Sequence, residues 1–103
     1  MTDFAVVIVY DISDDRLRRL VEKVCKEYGL SHIQRSAFVG FLSESARKSL
    51  YVELQNIMES MEYEGEVSIR IYRIQKRDYA NKLCIGRISG YDDDPEPIDL
   101  LVL

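Results

Sequence analysis

Residues 4–10, FAVVIVY, form an unbroken apolar run rich in β-branched side chains. A strand with one wet face alternates apolar and polar residues. A run without alternation reads as a central strand covered on both faces. Phe4, Val6, Ile8 and Tyr10 point to one side, and Ala5, Val7 and Val9 to the other. The fold must therefore supply two covers for this strand.

The first cover is a helix predicted over residues 14–28. Ser13 offers an N-cap, with Asp14 and Asp15 in the first turn, where carboxylates suit the helix dipole. Leu17, Leu20, Val21, Val24 and Tyr28 recur at helical spacing, and Gly29 supplies the C′ position. Residues 31–42 read as two strands, near 31–35 and 37–42, reversing at Arg35–Ser36. Ser43 caps a second helix whose buried stripe is Ala46, Leu50, Leu54, Ile57, Met58 and Met61. Residues 67–73, VSIRIYR, alternate as an edge strand does. A basic loop over 74–81 leads to a further short strand predicted at 82–88. The order is β-α-β-β-α-β plus one strand. That is an α+β, ferredoxin-like sandwich with an additional C-terminal strand. It assigns residues 1–90 to one domain and 91–103 to an acidic-apolar tail.

Both helices of such a sandwich lie on one face of the sheet. The other face should be polar, yet Ala5, Val7, Val9, Ala37, Val39 and Phe41 make it apolar. A patch of this kind marks an interface, and a two-fold homodimer packed sheet to sheet is the expected cover. The competing cover is the extra strand and tail folding back.

With 103 residues, 47% hydrophobic and 31% charged, the chain is a single globular domain and not a disordered one. No apolar run is long enough to span a membrane, and MTDF lacks the basic start of a secretory signal. Cys25 and Cys84 form no CxxC and are expected to be small buried hydrophobes in a reducing, cytoplasmic setting.

The net charge of −4 argues against nucleic acid until it is resolved by segment. Residues 92–103 hold five acidic side chains and no basic one, so residues 1–91 carry +1. Arg70, Arg73, Lys76, Arg77, Lys82 and Arg87 face only Asp78 among the acids around them. Arg16, Arg18 and Arg19 sit near a helix N-terminus, where basic side chains oppose the dipole and contact with phosphate would explain them. A solvated face is the plain alternative. Asp11 ends the central strand, either to hold a cation or to cap the following turn. His32, the only histidine, has no partner in sequence, and a structural strand-edge role accounts for it.

Three segments resemble the CRISPR-associated protein 2 family, the small partner of the CRISPR integrase. They are YDISDDRLRR at 10–19, GLSHIQRSAFVGFLS at 29–43 and LCIGRISG at 83–90. In the second, Gln34, Ser36, Phe38 and Gly40 hold the family's spacing, whereas Leu20 and His32 stand where many relatives carry Arg.

The resemblance implies a cytoplasmic homodimer in which each last strand adds to the partner's sheet. It implies a nucleic-acid-binding scaffold of the spacer-integration complex, with the CRISPR integrase as partner and DNA duplex or RNA as ligand. It also implies metal-dependent endonuclease activity with Asp11 as catalytic residue and Mg²⁺ ligand. A stand-alone ribonuclease toxin of the same fold is the alternative. On this reading Arg16, Arg18, Arg19, Arg35, Ser36, Arg70, Arg73 and Arg77 contact nucleic acid, and Tyr10, Phe38 and Ile85 lie at the dimer interface. The tail, with Ile98, Leu100, Leu101 and Val102, is assigned to protein contact. Duplex binding by the free dimer should be weak, salt-dependent and tightened when the tail is engaged.

Overall fold

The computed structural model describes residues 4–96. The apolar end of the tail, with Ile98 to Val102, lies outside the described residues. The elements are β1 (Phe4–Ile12), α1 (Asp15–Glu27), β2 (Ser31–Gln34), β3 (Ala37–Leu42), α2 (Glu44–Ser60), β4 (Val67–Ile74) and α3 (Lys76–Ala80). The sheet is antiparallel in the order β2-β3-β1-β4, which is the ferredoxin-like arrangement.

β1 is central and longer than its apolar run, pairing with β3 from Phe4 to Val9 and with β4 from Ala5 to Ile12. Its even-numbered side chains enter the helix layer. Val6, Ile8, Tyr10 and Ile12 pack with Leu17, Val21, Val24 and Cys25 of α1, Phe38 and Leu42 of β3, and Leu50 and Leu54 of α2. Tyr10 and Phe38 are therefore core residues, 3% and 0% exposed, where the resemblance had implied a place at the dimer interface. Alternation separates two faces of a strand; it does not say which one faces the helices.

The odd-numbered face has a second, smaller cluster. Ala5 and Val39 pack with Tyr79 of α3, flanked by Val7, Ile33, Phe41 and Ile74. Tyr79 meets Phe41 edge to face at 5.9 Å. The chain thus covers part of this face itself and leaves Val9 and Tyr72 exposed.

Two local corrections have plain causes. α1 is capped by Asp14, not Ser13. Asp14 Oδ1 accepts the N–H groups of Arg16 and Leu17, each at 3.0 Å, and its Oδ2 accepts that of Glu64 at 3.1 Å. A carboxylate has two acceptor atoms, so one oxygen caps the helix while the other pins the loop. These N–H groups hold the Asp14 carboxyl below its usual range.

The second correction concerns residues 82–88, which form no strand. Leu83 and Ile85 are fully exposed, and so is Cys84. A strand needs a neighbour, and this segment has none among the described residues. Cys25, by contrast, is buried, which pushes its thiol up to about 12 and leaves it inert.

α2 begins as predicted, with Ser43 Oγ accepting the Ala46 N–H at 3.2 Å. Its first residue, Glu44, is gripped by Arg47 through two hydrogen bonds of 3.0 and 2.8 Å, and Arg73 approaches to 3.4 Å. Arg47, then Arg73, hold the Glu44 carboxyl down to about 2. The folded value lies below the unfolded one of about 4.3. This contact is therefore complete above that pH and is lost as pH falls toward 2. Thermal melts should lose stability across this window, and Glu44→Gln should flatten that part of the curve. Equal slopes in parent and variant would exclude Glu44 as a contributor.

Candidate nucleic-acid interface

Where β1 ends, its backbone emerges from the core and carries Asp11 into solvent. The β2–β3 turn closes beside it, because the Tyr10 N–H donates to the Ser36 carbonyl at 3.0 Å. α1 passes on the other side. Together they enclose a polar basin of about 670 Å³, lined by Tyr10, Asp11, Arg18, Glu22, His32, Arg35, Ser36 and Tyr91 among others. An apolar groove of similar volume lies elsewhere, between α2 and β4.

Tyr10 forms the floor of the basin. Its hydroxyl donates to Glu22 Oε2 at 2.6 Å and lies 2.9 Å from the Arg35 carbonyl oxygen. With one phenol proton shared between two acceptors, His32 Nε2, at 3.0 Å, must be the donor in its contact with Tyr10. Burial, reinforced by Glu22, holds the Tyr10 hydroxyl above the ordinary phenol range, so it stays protonated. The His32 ring stacks on Phe38 at 4.2 Å with 9° between planes. His32 is thus the structural histidine expected from sequence, fixed from three sides.

On this floor the basin presents the guanidinium groups of Arg18 and Arg35, the Ser36 hydroxyl and the Asp11 carboxylate, beside the Glu22 carboxylate that Tyr10 engages. Arg18 is steadied by Asp15 at 2.8 Å, and Arg35 and Ser36 are exposed at the turn. Guanidinium forks and a hydroxyl are phosphate-binding groups. The Asp11 carboxylate beside them is what a cation shared with a phosphate would use.

The remaining basic residues do not all gather here. Arg16 and Arg19 lie on the exposed side of α1, in one stripe with Lys23 and Lys26. The spacing 16, 19, 23, 26 could have revealed that stripe from sequence. Arg70 sits opposite Val9, on the face away from the helices. Arg73 lies opposite Val6, on the helix side, near Glu44 and 4.4 Å above the Phe4 ring. Arg77 is exposed on α3. The basic track read along residues 70–82 is therefore divided among three surfaces. Glu22, Tyr91 and Asp92 belong to the basin region and carry no local signal that could have found them.

The sequence profile of the family described as CRISPR associated protein Cas2 matches residues 4–82. The chain belongs to the Cas2 family. It is 35% identical over 81 residues to the CRISPR-associated endoribonuclease Cas2 2 of Pyrobaculum aerophilum, covering 79% of this chain and 85% of that protein. It is 34% identical over 80 residues to a Cas1/Cas2 endonuclease fusion of Thermoproteus tenax, covering 78% of this chain and 29% of the fusion. A crystal structure of a Cas2 superposes with a TM-score of 0.68 at 24% identity, over 91% of this chain and 99% of the other. The Cas2 match ends at residue 82, so the segment carrying Tyr91 and Asp92 lies beyond it. Among the described residues, no helix is long and apolar enough to cross a membrane.

Proposed function

We propose that this Cas2-family chain is a dimeric, cytoplasmic nucleic-acid-binding protein of CRISPR spacer acquisition, able to cleave phosphodiesters with a divalent cation. The observation that carries the reading is the basin, which sets Arg18, Arg35 and Ser36 around Asp11 at the end of the central strand. The stripe of Arg16, Arg19, Lys23 and Lys26 extends the basic surface along α1. Such a surface reads phosphate backbone and not base sequence. The Thermoproteus tenax relative, in which Cas1 and Cas2 are one polypeptide, supports the Cas1 integrase as partner.

Dimerisation is supported by what the single chain leaves open. The outer edge of β4 is unpaired in the sheet order. Beside it, Leu54, Met58, Ile69 and Ile71 line an apolar groove of about 670 Å³. Leu83 and Ile85, two residues apart, are fully exposed on a segment without a neighbour. Adding that segment to the β4 edge of a second copy would satisfy both. Ile85 thus remains an interface residue in this reading.

The fit of a metal follows the same logic. Among the described residues, no group of three His, Cys, Asp or Glu side chains could hold an ion. Mg²⁺ needs only one or two carboxylates and completes its shell with water. Asp11 and its copy across a two-fold axis would hold it, where it would polarise a phosphate and activate water.

Binding is tested by converting Arg18 and Arg35 to Glu. Affinity for a labelled DNA duplex should fall at least tenfold. The log–log salt slope should become shallower by about 2, the equivalent of two lost phosphate contacts. Unchanged affinity and slope would remove the basin as the site.

A further inference from the structure

The chain beyond α3 is held to the body at few points. Among the described residues, none from Leu83 to Tyr91 forms a hydrogen bond. The segment then docks on β2. The Asp92 N–H donates to the His32 carbonyl at 2.9 Å, and Asp92 Oδ2 accepts the His32 N–H at 2.8 Å. The Tyr91 ring stands edge-on to the His32 ring at 5.1 Å and forms one wall of the basin. Two residues on, Asp94 accepts the hydroxyl of Tyr79.

This docking has a structural reason. His32 lies opposite Phe38 in the β2–β3 register, and its N–H and C=O point away from β3 to the free edge of the sheet. An open edge invites a second chain segment, and Asp92 answers it with one backbone and one side-chain bond. The result sets Tyr91 in the wall of a basin that carries Arg18 and Arg35 and holds Asp92 on the adjoining strand edge, while Asp94 turns to Tyr79 on the other face of the sheet. The Tyr91 ring thus occupies ground that a phosphate backbone entering the basin would need.

Resting on the reading of the basin as a nucleic-acid site, we propose that Tyr91–Asp94 is a self-inhibitory clasp that nucleic acid must displace to enter the basin. The clasp is poised to open at the basin, since its Asp92 side-chain bond is exposed and the stretch leading to it makes none.

The test uses the full chain and a labelled DNA duplex. The Tyr91→Ala/Asp92→Ala variant, which alters only exposed side chains, should bind about tenfold more tightly, the change expected when one exposed hydrogen bond and one ring contact no longer compete. Asp92→Asn keeps an acceptor for the His32 N–H and removes the charge, so it should tighten binding by a smaller factor. In the parent, saturating duplex should speed hydrogen exchange at the Asp92 amide. Equal affinity of parent and double variant, with no change in that exchange, would overturn the clasp. The Arg18→Glu/Arg35→Glu chain separates the two readings. If it binds like the parent, the basin itself fails. If it loses binding while the clasp variant stays at parental affinity, only the clasp fails.

Discussion

Asp11→Asn should lower Mg²⁺-dependent cleavage of labelled RNA or DNA at least a hundredfold and leave folding and duplex binding unchanged. Asp11 is exposed at the end of β1 and belongs to neither hydrophobic cluster, so the amide costs no packing. Asparagine keeps the shape and gives up the charge that a cation requires. A cation bound at the reacting phosphate contributes several kcal/mol to the transition state, and each ~1.4 kcal/mol is a factor of ten in rate. On the proposed reading binding rests on Arg18, Arg35 and the α1 stripe, which the substitution leaves in place. Removing two like charges across a two-fold axis would also relieve repulsion there. The checks are a cleavage time course with and without Mg²⁺, a melting curve and a duplex titration. Cleavage at the parental rate in the variant would take Asp11 out of the reaction.

The helices and the sheet were legible because their signals are local. α1 shows its apolar stripe and Gly29, α2 shows Ser43, and β4 alternates. Gly29 takes φ +81°, the left-handed value that ends a helix without strain. α3 was not legible. It has five residues, and Gln75 before it makes no side-chain cap hydrogen bond, so its sequence reads as a basic loop. Residues 82–88 failed in the opposite way. Their propensity is that of a strand, but a strand is a relation between two segments, and the chain alone supplies only one.

The site was legible in part for the same reason. Asp11 and the Arg35–Ser36 turn are marked by where strands end. The assignment of Tyr10 and Phe38 failed because both faces of β1 are apolar, and only packing decides which meets α1 and α2. Asp92 reaches His32 across sixty positions of sequence, so neither periodicity nor spacing connects them. Net charge shows the same limit. The acidic segment that lowers it does not act at a distance; part of it sits on the strand bordering the basic basin.

Phe38→Ala should be the most destabilising single change considered, by about 3–5 kcal/mol, as for other large-to-small changes in a closed core. Phe38 is fully buried, opposite Ile8 on β3, with the Tyr10 ring 5.9 Å away. Its other face supports the His32 ring at 4.2 Å. The alanine would therefore leave a cavity under the sheet and also release His32 from its stack, loosening its contact with Tyr10. A structural loss and a local loss should appear together. Denaturant unfolding would show the drop as a lower midpoint at unchanged slope. Hydrogen exchange at the His32 amide should accelerate beyond what the global loss accounts for, because the clasp residues Tyr91 and Asp92 rest on the same histidine. Phe38→Leu retains most of the volume but not the flat ring. It should recover most of the stability and little of the His32 protection. Full recovery of both in the leucine variant would mean that volume alone, and not the stacked ring, holds the basin's floor.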